Sequence, residues 1–232
     1  MTTDSAPSRS ARPVPTALPL TVSRIRHEFE EVYSYFLRSP DPVPFEAGQY
    51  LHLVAPGEAV SKATVRHMSV ASAPDEEELL FTMGLESDSR FKRCFRGLRE
   101  GDALGWFGVS GEFTLRGLAP EVPVVFVAGG IGVTPFRSLI RDIERRGGAR
   151  PWSLLHVARG AHLYEADFTE YDRPQIRTNR AGVPKAVKEM VAANPEAVYY
   201  VSGSGRFVKG LTDRLAAHGI SLGHIRIENF DH

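Results

Sequence analysis

Two glycine-rich turns hold the residues whose types and spacing best suit phosphate binding. The first turn, GGIGVTP, contains Gly129, Gly130 and Gly132, and the second, SGSG, spans residues 202–205. Because glycine has no side chain, backbone N–H groups at the positive end of a following helix can approach an anion closely in such a turn. The first turn is therefore expected to bind a phosphate, although a lone glycine turn can also be a plain strand-to-helix connection.

Each turn follows an apolar segment and opens a segment with helical periodicity. The run VPVVFVA at 122–128 is apolar and rich in β-branched residues, which predicts a strand buried on both faces of a parallel sheet. In the helix after it, Thr134 is predicted as the N-cap and Pro135 as the first helical residue. Parallel strands end at the same edge of a sheet, so both turns are expected there. The residues of the second turn at that edge are Ser202, Gly203 and Ser204.

The segments that must position these turns fall into two halves after a tail. Residues 1–17 are rich in Ser, Pro and Arg, which predicts a mobile tail. Residues 18–118 contain about six short segments with β character and few helical ones, which indicates an antiparallel barrel or sandwich. Residues 119–232 alternate strand and helix patterns, so this half is predicted to be an α/β layer with a mainly parallel sheet.

Composition excludes several classes of site. The 28 basic and 28 acidic residues give no net charge, so nothing global indicates binding of nucleic acid or of a membrane surface. The single cysteine, Cys94, excludes an internal disulfide and a four-cysteine iron-sulfur cluster built from this chain. No apolar run approaches the ~20 residues that span a bilayer, and the expected compartment is the cytoplasm. The eight histidines show no metal-binding spacing, so no metal site is expected.

Three further segments carry residues suited to binding and catalysis. Arg66 lies in RHMSVAS, and its permanently charged, forked guanidinium suits a pyrophosphate. Ser89 is predicted to cap the helix SRFKRCFRGLR, whose first N–H groups would add donors. The segment ENF near the end of the sequence contains Glu228 and Phe230. The acidic run at 75–78 is most simply interpreted as a solvated turn.

In their order, these segments resemble the ferredoxin–NADP reductase family. The family has an Arg-x-aromatic-Ser strand end, a capped phosphate helix, a GGxGxTP turn and an acidic-x-aromatic segment, matched here by RHMS, SDSRFKR, GGIGVTP and ENF. The resemblance covers nearly all of residues 18–232. It implies a Greek-key β-barrel that binds FAD over residues 18–118 and an α/β domain that binds NADPH or NADH over residues 119–232.

The resemblance also implies the site residues. Those expected to bind FAD are Arg66, His67, Met68, Ser69, Asp88, Ser89 and Phe230. Those expected to bind the nicotinamide cofactor are Gly129, Gly130, Gly132, Thr134, Pro135, Gly203 and Ser204, together with Arg159, which could meet a 2′-phosphate. Those expected to act at the reacting rings are Ser69, Ser202 and Glu228. Met68 departs from the family because it stands where Tyr or Phe usually stacks on the flavin.

The implied function is electron transfer by a flavoprotein oxidoreductase. Hydride would pass from NADPH or NADH to FAD, and electrons would then pass to a ferredoxin, a flavodoxin, an oxygenase component or a small molecule. The basic face of residues 92–99 could dock an acidic protein acceptor. Two alternatives stay open from the sequence: a flavin- or nucleotide-binding regulatory subunit without turnover, and a reductase of free flavin or of a ferric chelate.

Overall fold

The computed structural model describes residues 15–230, so most of the tail predicted over residues 1–17 lies outside the described residues. The first half of the chain forms β1 (Leu18–Phe29), β2 (Val32–Arg38), β3 (Tyr50–Val54), β4 (Val65–Ser69), β5 (Leu79–Gly84) and β6 (Ala103–Ser110). These strands form one sheet in the order β4-β3-β6-β1-β2-β5, and each neighbouring pair is antiparallel. The prediction of a six-stranded antiparallel unit is confirmed.

The two outer strands, β4 and β5, meet just beyond the end of β4. There the Ala71 N–H donates to the Leu80 carbonyl at 2.7 Å, and the Leu80 N–H donates to Ser72 Oγ at 3.1 Å. These bonds join the two edges and give the sheet a barrel-like curvature. Alternate side chains of the strands fill the barrel interior, among them Tyr35, Leu37, Leu51, Leu53, Phe81 and Met83.

A helix, α1 (Arg90–Arg96), packs against this interior. Ser89 is its N-cap, and the Ser89 hydroxyl accepts a hydrogen bond from the Lys92 N–H, as predicted. Phe91 and Phe95 are buried one turn apart and stack on each other at 4.5 Å between ring centroids. The helix is therefore fixed by its apolar face, with its N-terminus left at the surface of the barrel.

The second half of the chain alternates strand and helix. Its strands are β7 (Val124–Gly129), β8 (Trp152–Val157), β9 (Gln175–Thr178), β10 (Val198–Gly203) and β11 (Ile225–Asn229). Its helices are α2 (Thr134–Arg145), α3 (Glu165–Thr169), α4 (Val183–Ala193) and α5 (Gly205–Ala217). The strands form a parallel sheet in the order β11-β10-β7-β8-β9. Since apolar clusters cover both faces of β7, the predicted α/β layer is confirmed.

The start of α2 differs from the prediction. A 3-10 helix, Gly130–Val133, precedes it, so Val133 is the N-cap, Thr134 is the first residue of α2 and Pro135 is the second. Gly130 has a φ of +56°, a left-handed conformation that lets the chain turn from β7 directly into helical geometry. The Thr134 hydroxyl instead donates to the Ile131 carbonyl at 2.6 Å. The predicted N-cap role of Thr134 is therefore wrong.

The two sheets share an apolar core. Phe36 and Leu80, on the outer face of the barrel, lie in one buried cluster with Phe126 and Phe136 of the α/β half. Phe113, which follows β6, packs between them, with its ring centroid 5.7 Å from that of Phe136. The barrel and the parallel sheet consequently bury part of their apolar surface against each other.

Ion pairs close the same interface on one side. Glu76 binds both Arg137, at 3.2 Å, and Arg141, and Asp75 binds Arg145 at 2.7 Å. The Arg137 side chain is 9% exposed, and it also donates to the Ala71 carbonyl at 2.8 Å. The interpretation of residues 75–78 as a solvated turn is therefore wrong for Glu76, which α2 covers and pairs, whereas Asp75 and Glu77 are exposed and Glu78 pairs with Arg38 of β2.

Candidate functional site

A cleft of about 780 Å³ lies between the barrel and the carboxyl edge of the parallel sheet. The barrel side is formed by Tyr50, Arg66, His67, Met68, Ser69, Thr82, Met83, Gly84, Ser87, Ser89, Phe91, Lys92, Gly111, Glu112 and Phe113. The sheet side is formed by Ile131, Thr134, Arg226, Ile227, Glu228, Asn229 and Phe230. A volume of this size suits a large organic ligand or cofactor. The fold thus brings together residues separated by more than 150 positions in the chain.

Strand β4 places four of the predicted residues on one wall of the cleft. Arg66 donates from Nη1 to the Lys62 and Val65 carbonyls, at 3.1 and 2.7 Å. Its guanidinium carbon lies 5.6 Å from the centroid of the Phe91 ring. Within residues 15–230 Arg66 forms no ion pair with a carboxylate, so its charge is available to an anion in the cleft.

An aromatic residue next to Met68 was missed in the sequence analysis. Tyr50 pairs with Ser69 across β3 and β4 and lines the cleft. Its ring stacks on that of His67, with centroids 4.9 Å apart and planes 20° apart. Met68 is half-buried and packs against the barrel core. Tyr50 is the last residue of the segment FEAGQY. The pairing register of β3 and β4 places its ring beside Met68, and the sequence alone does not give that register.

The N-terminus of α1 adds hydroxyl groups and a cation to the same wall. Ser87, Ser89 and Lys92 line the cleft. Asp88 does not, because its carboxylate binds Arg93 at 3.0 Å and Arg96 at 3.4 Å. Arg66, Lys92 and the first N–H groups of the helix therefore make this end of the cleft electropositive.

The basic face of α1, predicted as a docking surface, is largely paired within the chain. Besides the two arginines on Asp88, Lys92 lies 3.9 Å from Glu86, and Arg90 lies 2.8 Å from Glu58. These pairs reduce the positive field that the helix presents to a partner.

Strand β11 supplies the opposite wall. Glu228 lines the cleft, and burial raises its pKa to about 7 from an ordinary value of 4.5. The Phe230 N–H donates to the Gly203 carbonyl at 3.0 Å, which joins the residue after β11 to the second glycine turn. A carboxyl with this pKa can hold or release a proton near neutral pH.

Arg226 is a second residue that the sequence did not single out. It donates from Nη1 to the Thr114 carbonyl and to the Tyr200 hydroxyl, both at 2.8 Å. These bonds fix β11 against the connection that follows β6. Because Arg226 also lines the cleft, it adds a positive charge two residues from Glu228.

Ser202 lies behind the cleft wall rather than on it. It pairs with Glu228 on one side and Ala128 on the other, in the middle of the parallel sheet. The Ser202 hydroxyl is fully buried and has no hydrogen-bond partner among the residues that the structure describes. It is thus next to the predicted catalytic carboxyl without facing the cleft.

The glycines of the two turns are required by the structure for different reasons. A Cβ on Gly129 would lie 2.7 Å from the Phe207 ring, and one on Gly132 would lie 2.5 Å from the Ser202 carbonyl oxygen. A Cβ on Gly203 would lie 2.9 Å from the Phe207 ring, and the φ of Gly203 is +153°. A Cβ on Gly130 would meet nothing within 4 Å. Only Gly130 therefore leaves open space at the first turn, whereas the other three allow close packing.

The remaining predicted residues lie along the sheet edge outside the cleft wall. They are Gly129, Gly130, Gly132, Pro135, Arg159, Gly203 and Ser204. Ser204 is the N-cap of α5, and its hydroxyl accepts from the Phe207 N–H at 3.4 Å. Arg159 is exposed just after β8. Ile131 and Thr134 of the first turn do reach the cleft, so the edge and the cleft are continuous.

Residues 15–230 show neither a metal-binding cluster nor a membrane-spanning helix. No group of three or more His, Cys, Asp or Glu side chains is arranged to hold a metal ion there. No helix in that part of the chain is long and apolar enough to cross a bilayer.

Known proteins resemble this chain in sequence and in fold, although no family model matches it. It is 30% identical over 219 residues to ferredoxin–NADP reductase B of Sorangium cellulosum, covering 81% of this chain and 86% of that protein. It is 27% identical over 244 residues to a flavohemoprotein of Chromobacterium violaceum, covering 91% of this chain but only 60% of that protein. The crystal structure of ferredoxin–NADP+ reductase from Plasmodium falciparum superposes with a TM-score of 0.78 at 14% identity, covering 92% and 96% of the two chains.

Proposed function

This chain belongs to the ferredoxin–NADP reductase family, and from that premise we propose that it is an FAD-dependent oxidoreductase that oxidises NADPH or NADH. Electrons would then pass to a protein or small-molecule acceptor. The observation that carries the proposal is the single cleft in which Arg66 and Ser69 of the barrel face Glu228 and Phe230 of the sheet. The flavin and nicotinamide rings can come into contact only if the barrel wall and the sheet wall border the same cleft.

The residues of the cleft fit FAD. We assign the flavin to residues 18–118, with Arg66, Lys92 and the N–H groups after Ser89 around its pyrophosphate. His67, Met68 and Ser69 would line the ring. Asp88 would contribute only through the arginines that it binds. FAD, when bound, supplies the hydride and single-electron chemistry, and the protein supplies orientation and charge.

Three side chains are placed to act around the reacting rings. The Ser69 hydroxyl would donate a hydrogen bond to the flavin ring, and Phe230 would cover the ring face until the nicotinamide arrives. Glu228 would hold or release a proton at its carboxyl oxygen, since burial raises its pKa to about 7. Ser202 would support Glu228 from the neighbouring strand, because the two residues pair between β10 and β11.

The nicotinamide cofactor is assigned to residues 119–232. Its pyrophosphate would lie along the turn at Gly129–Thr134, where Gly130 leaves open space. Gly203 and Ser204 of the second turn lie beside it on the same edge. Arg159 is exposed and suited to a 2′-phosphate, so we favour NADPH over NADH.

A ferredoxin, a flavodoxin or an oxygenase component is the proposed acceptor. The single cysteine cannot form a four-cysteine cluster within these 232 residues, so any such cluster on the electron path would be supplied from outside them. Docking through residues 92–99 is weakened by the ion pairs of Lys92, Arg93 and Arg96. A salt-dependent turnover with ferredoxin would support electrostatic docking, and turnover indifferent to salt would exclude it.

Purified protein tests the proposal directly. We expect a yellow protein that bleaches anaerobically with NADPH, and Arg66→Ala is expected to weaken FAD binding by about 100-fold because charged hydrogen bonds to the pyrophosphate are lost. Arg38→Ala, at an exposed ion pair with Glu78, is the matched control. A protein that takes up no FAD would refute the proposal.

Two other outcomes would each indicate a different function. A yellow protein that neither nicotinamide bleaches would indicate a binding or regulatory subunit, an alternative favoured by Met68 at the position of the usual stacking ring. Full turnover on free flavin or a ferric chelate, without a protein partner, would indicate a small-molecule reductase.

A further inference from the structure

Gly130 differs from the other two glycines of the first turn in its backbone conformation and its contacts. Gly130 is the turn glycine with a left-handed backbone, at φ +56°. Its neighbours Gly129 and Gly132 are explained by contacts with Phe207 and with the backbone at Ser202. No such contact fixes Gly130, since a Cβ there would meet open space. The Gly130 peptide begins the 3-10 helix Gly130–Val133, and its carbonyl also has a side-chain contact from the neighbouring strand.

His156 provides that contact. It lies on β8 next to Ala128 of β7, and it is 1% exposed. Its Nε2 lies 3.0 Å from the Gly130 carbonyl oxygen, a normal hydrogen-bond distance. The side chain therefore reaches from the neighbouring strand to the peptide that begins the turn.

The proton on His156 can be assigned from its surroundings. Burial lowers the pKa of His156 to about 4, so the ring is neutral at physiological pH. A carbonyl oxygen only accepts hydrogen bonds, so Nε2 must carry the hydrogen and Nδ1 must be bare. His156 is thus a fixed donor whose tautomer the turn itself determines.

A fixed carbonyl also fixes the next N–H. A trans peptide places its C=O and N–H on opposite sides, and no cis peptide occurs among the described residues. With the Gly130 carbonyl directed at His156, the Ile131 N–H is directed away from the His156 ring. Ile131 lines the cleft, which is continuous with the sheet edge where the nicotinamide cofactor is assigned.

We propose that His156 is a positioning residue for the nicotinamide cofactor, holding the Gly130 peptide so that the Ile131 N–H faces the pyrophosphate. The inference rests on the proposed function and adds a residue that never touches the cofactor. His162 provides the comparison, because its ring packs edge-on against His156 at 4.9 Å but has no bond to Gly130. Comparing substitutions of the two histidines therefore distinguishes the effect of lost packing from the effect of the lost hydrogen bond.

The test is calorimetric binding of NADP+ to the oxidised, FAD-loaded protein. His156→Leu removes the donor, and we expect NADP+ affinity to fall about tenfold, a loss typical of one hydrogen bond. His156→Gln restores a donor near the Nε2 position and is expected to stay within about twofold of the parent. His162→Leu is the matched control and is expected to bind NADP+ as the parent does. FAD occupancy is expected to be the same in all four proteins.

Each other result would overturn the inference. Parent-like NADP+ affinity in His156→Leu, or affinity in His156→Gln as weak as in His156→Leu, would show that the hydrogen bond does not position the turn. If His156→Leu does not fold, nitrogen-15 NMR of the parent decides: an Nε2–H tautomer of His156 and an Ile131 amide shift on NADP+ addition are expected. An Nδ1–H tautomer or an unmoved Ile131 amide would refute it. A parent that takes up FAD but binds no NADP+ would instead refute the proposed function.

Discussion

Replacing Glu228 with glutamine tests the electrostatics of the cleft. Glu228→Gln keeps the shape of the side chain and removes its ionisation. In the folded protein burial raises the pKa of this carboxyl from 4.5 to about 7. The unfolded chain loses the proton near 4.5, so between these pH values the folded state binds more protons. Stability contributed by Glu228 is therefore present at low pH and is lost as pH rises toward 7.

The size of the effect follows from the same two values. The pKa difference between 4.5 and 7, at about 1.4 kcal/mol per pH unit, sets an upper limit of about 3.5 kcal/mol. Between pH 5 and pH 8 the linkage relation gives about 2.5 kcal/mol of this limit. Glu228→Gln is thus expected to gain stability relative to the parent as pH rises.

Urea unfolding of the FAD-free proteins at pH 5 and pH 8 measures this gain. The free energy of unfolding of Glu228→Gln minus that of the parent is expected to be larger at pH 8, by up to about 2.5 kcal/mol. Glu77→Gln, an exposed position, is the control and is expected to stay within about 0.5 kcal/mol of the parent at both pH values. An equal difference at pH 5 and pH 8 would show that the Glu228 carboxyl is solvated. That result would remove the reason for giving it a proton-transfer role near neutral pH.

Three further substitutions test the interface, the cofactor preference and the flavin wall. Arg137→Met is expected to lower the free energy of unfolding by about 3 kcal/mol, because the mostly buried Glu76 carboxylate loses one of its ion-pair partners. A loss below about 1 kcal/mol in a urea titration would contradict this expectation. Arg159→Ala is expected to reduce the ratio of kcat/KM for NADPH over NADH about tenfold, and an unchanged ratio would remove Arg159 from cofactor selection. Met68→Tyr is expected to tighten FAD binding about threefold to tenfold through ring stacking, measured by fluorescence titration; unchanged affinity would indicate that Tyr50 already supplies the stacking ring.

The fold was largely predictable because its signals are local. Closely spaced short segments with β character predicted the barrel strands, and the unbroken apolar run at 122–128 predicted a strand buried on both faces. The N-cap role of Ser89 depends only on residues within one turn and was correct. Thr134 was assigned wrongly because the helix start depends on the left-handed backbone of Gly130, which the residue type permits but does not require.

The site was predictable in part. Arg66, Met68, Ser69, Glu228 and Phe230 all line one cleft, although their chemical roles stay predictions. Other residues reach the cleft only through strand register and packing, so the order of motifs in the sequence could not identify them. Those residues include Tyr50, Thr82 and Arg226.

Charge patterns gave the least reliable predictions. The sequence of an acidic run such as 75–78 does not show whether its side chains face water or the arginine side chains of a helix. Only the position of α2 distinguishes the two cases, and α2 lies more than 50 residues further along the chain.

The apolar cluster shared by Phe36, Leu80 and Phe136 has a practical consequence for protein engineering. A chimera that joins this barrel to the nicotinamide half of another reductase would expose Phe36 and Leu80 to a foreign surface and leave Glu76 without its arginines. Exchange of cofactor specificity should therefore transplant the sheet-edge loops alone and leave α2 in place. A split expressed as two separate polypeptides is expected to aggregate unless both are produced together.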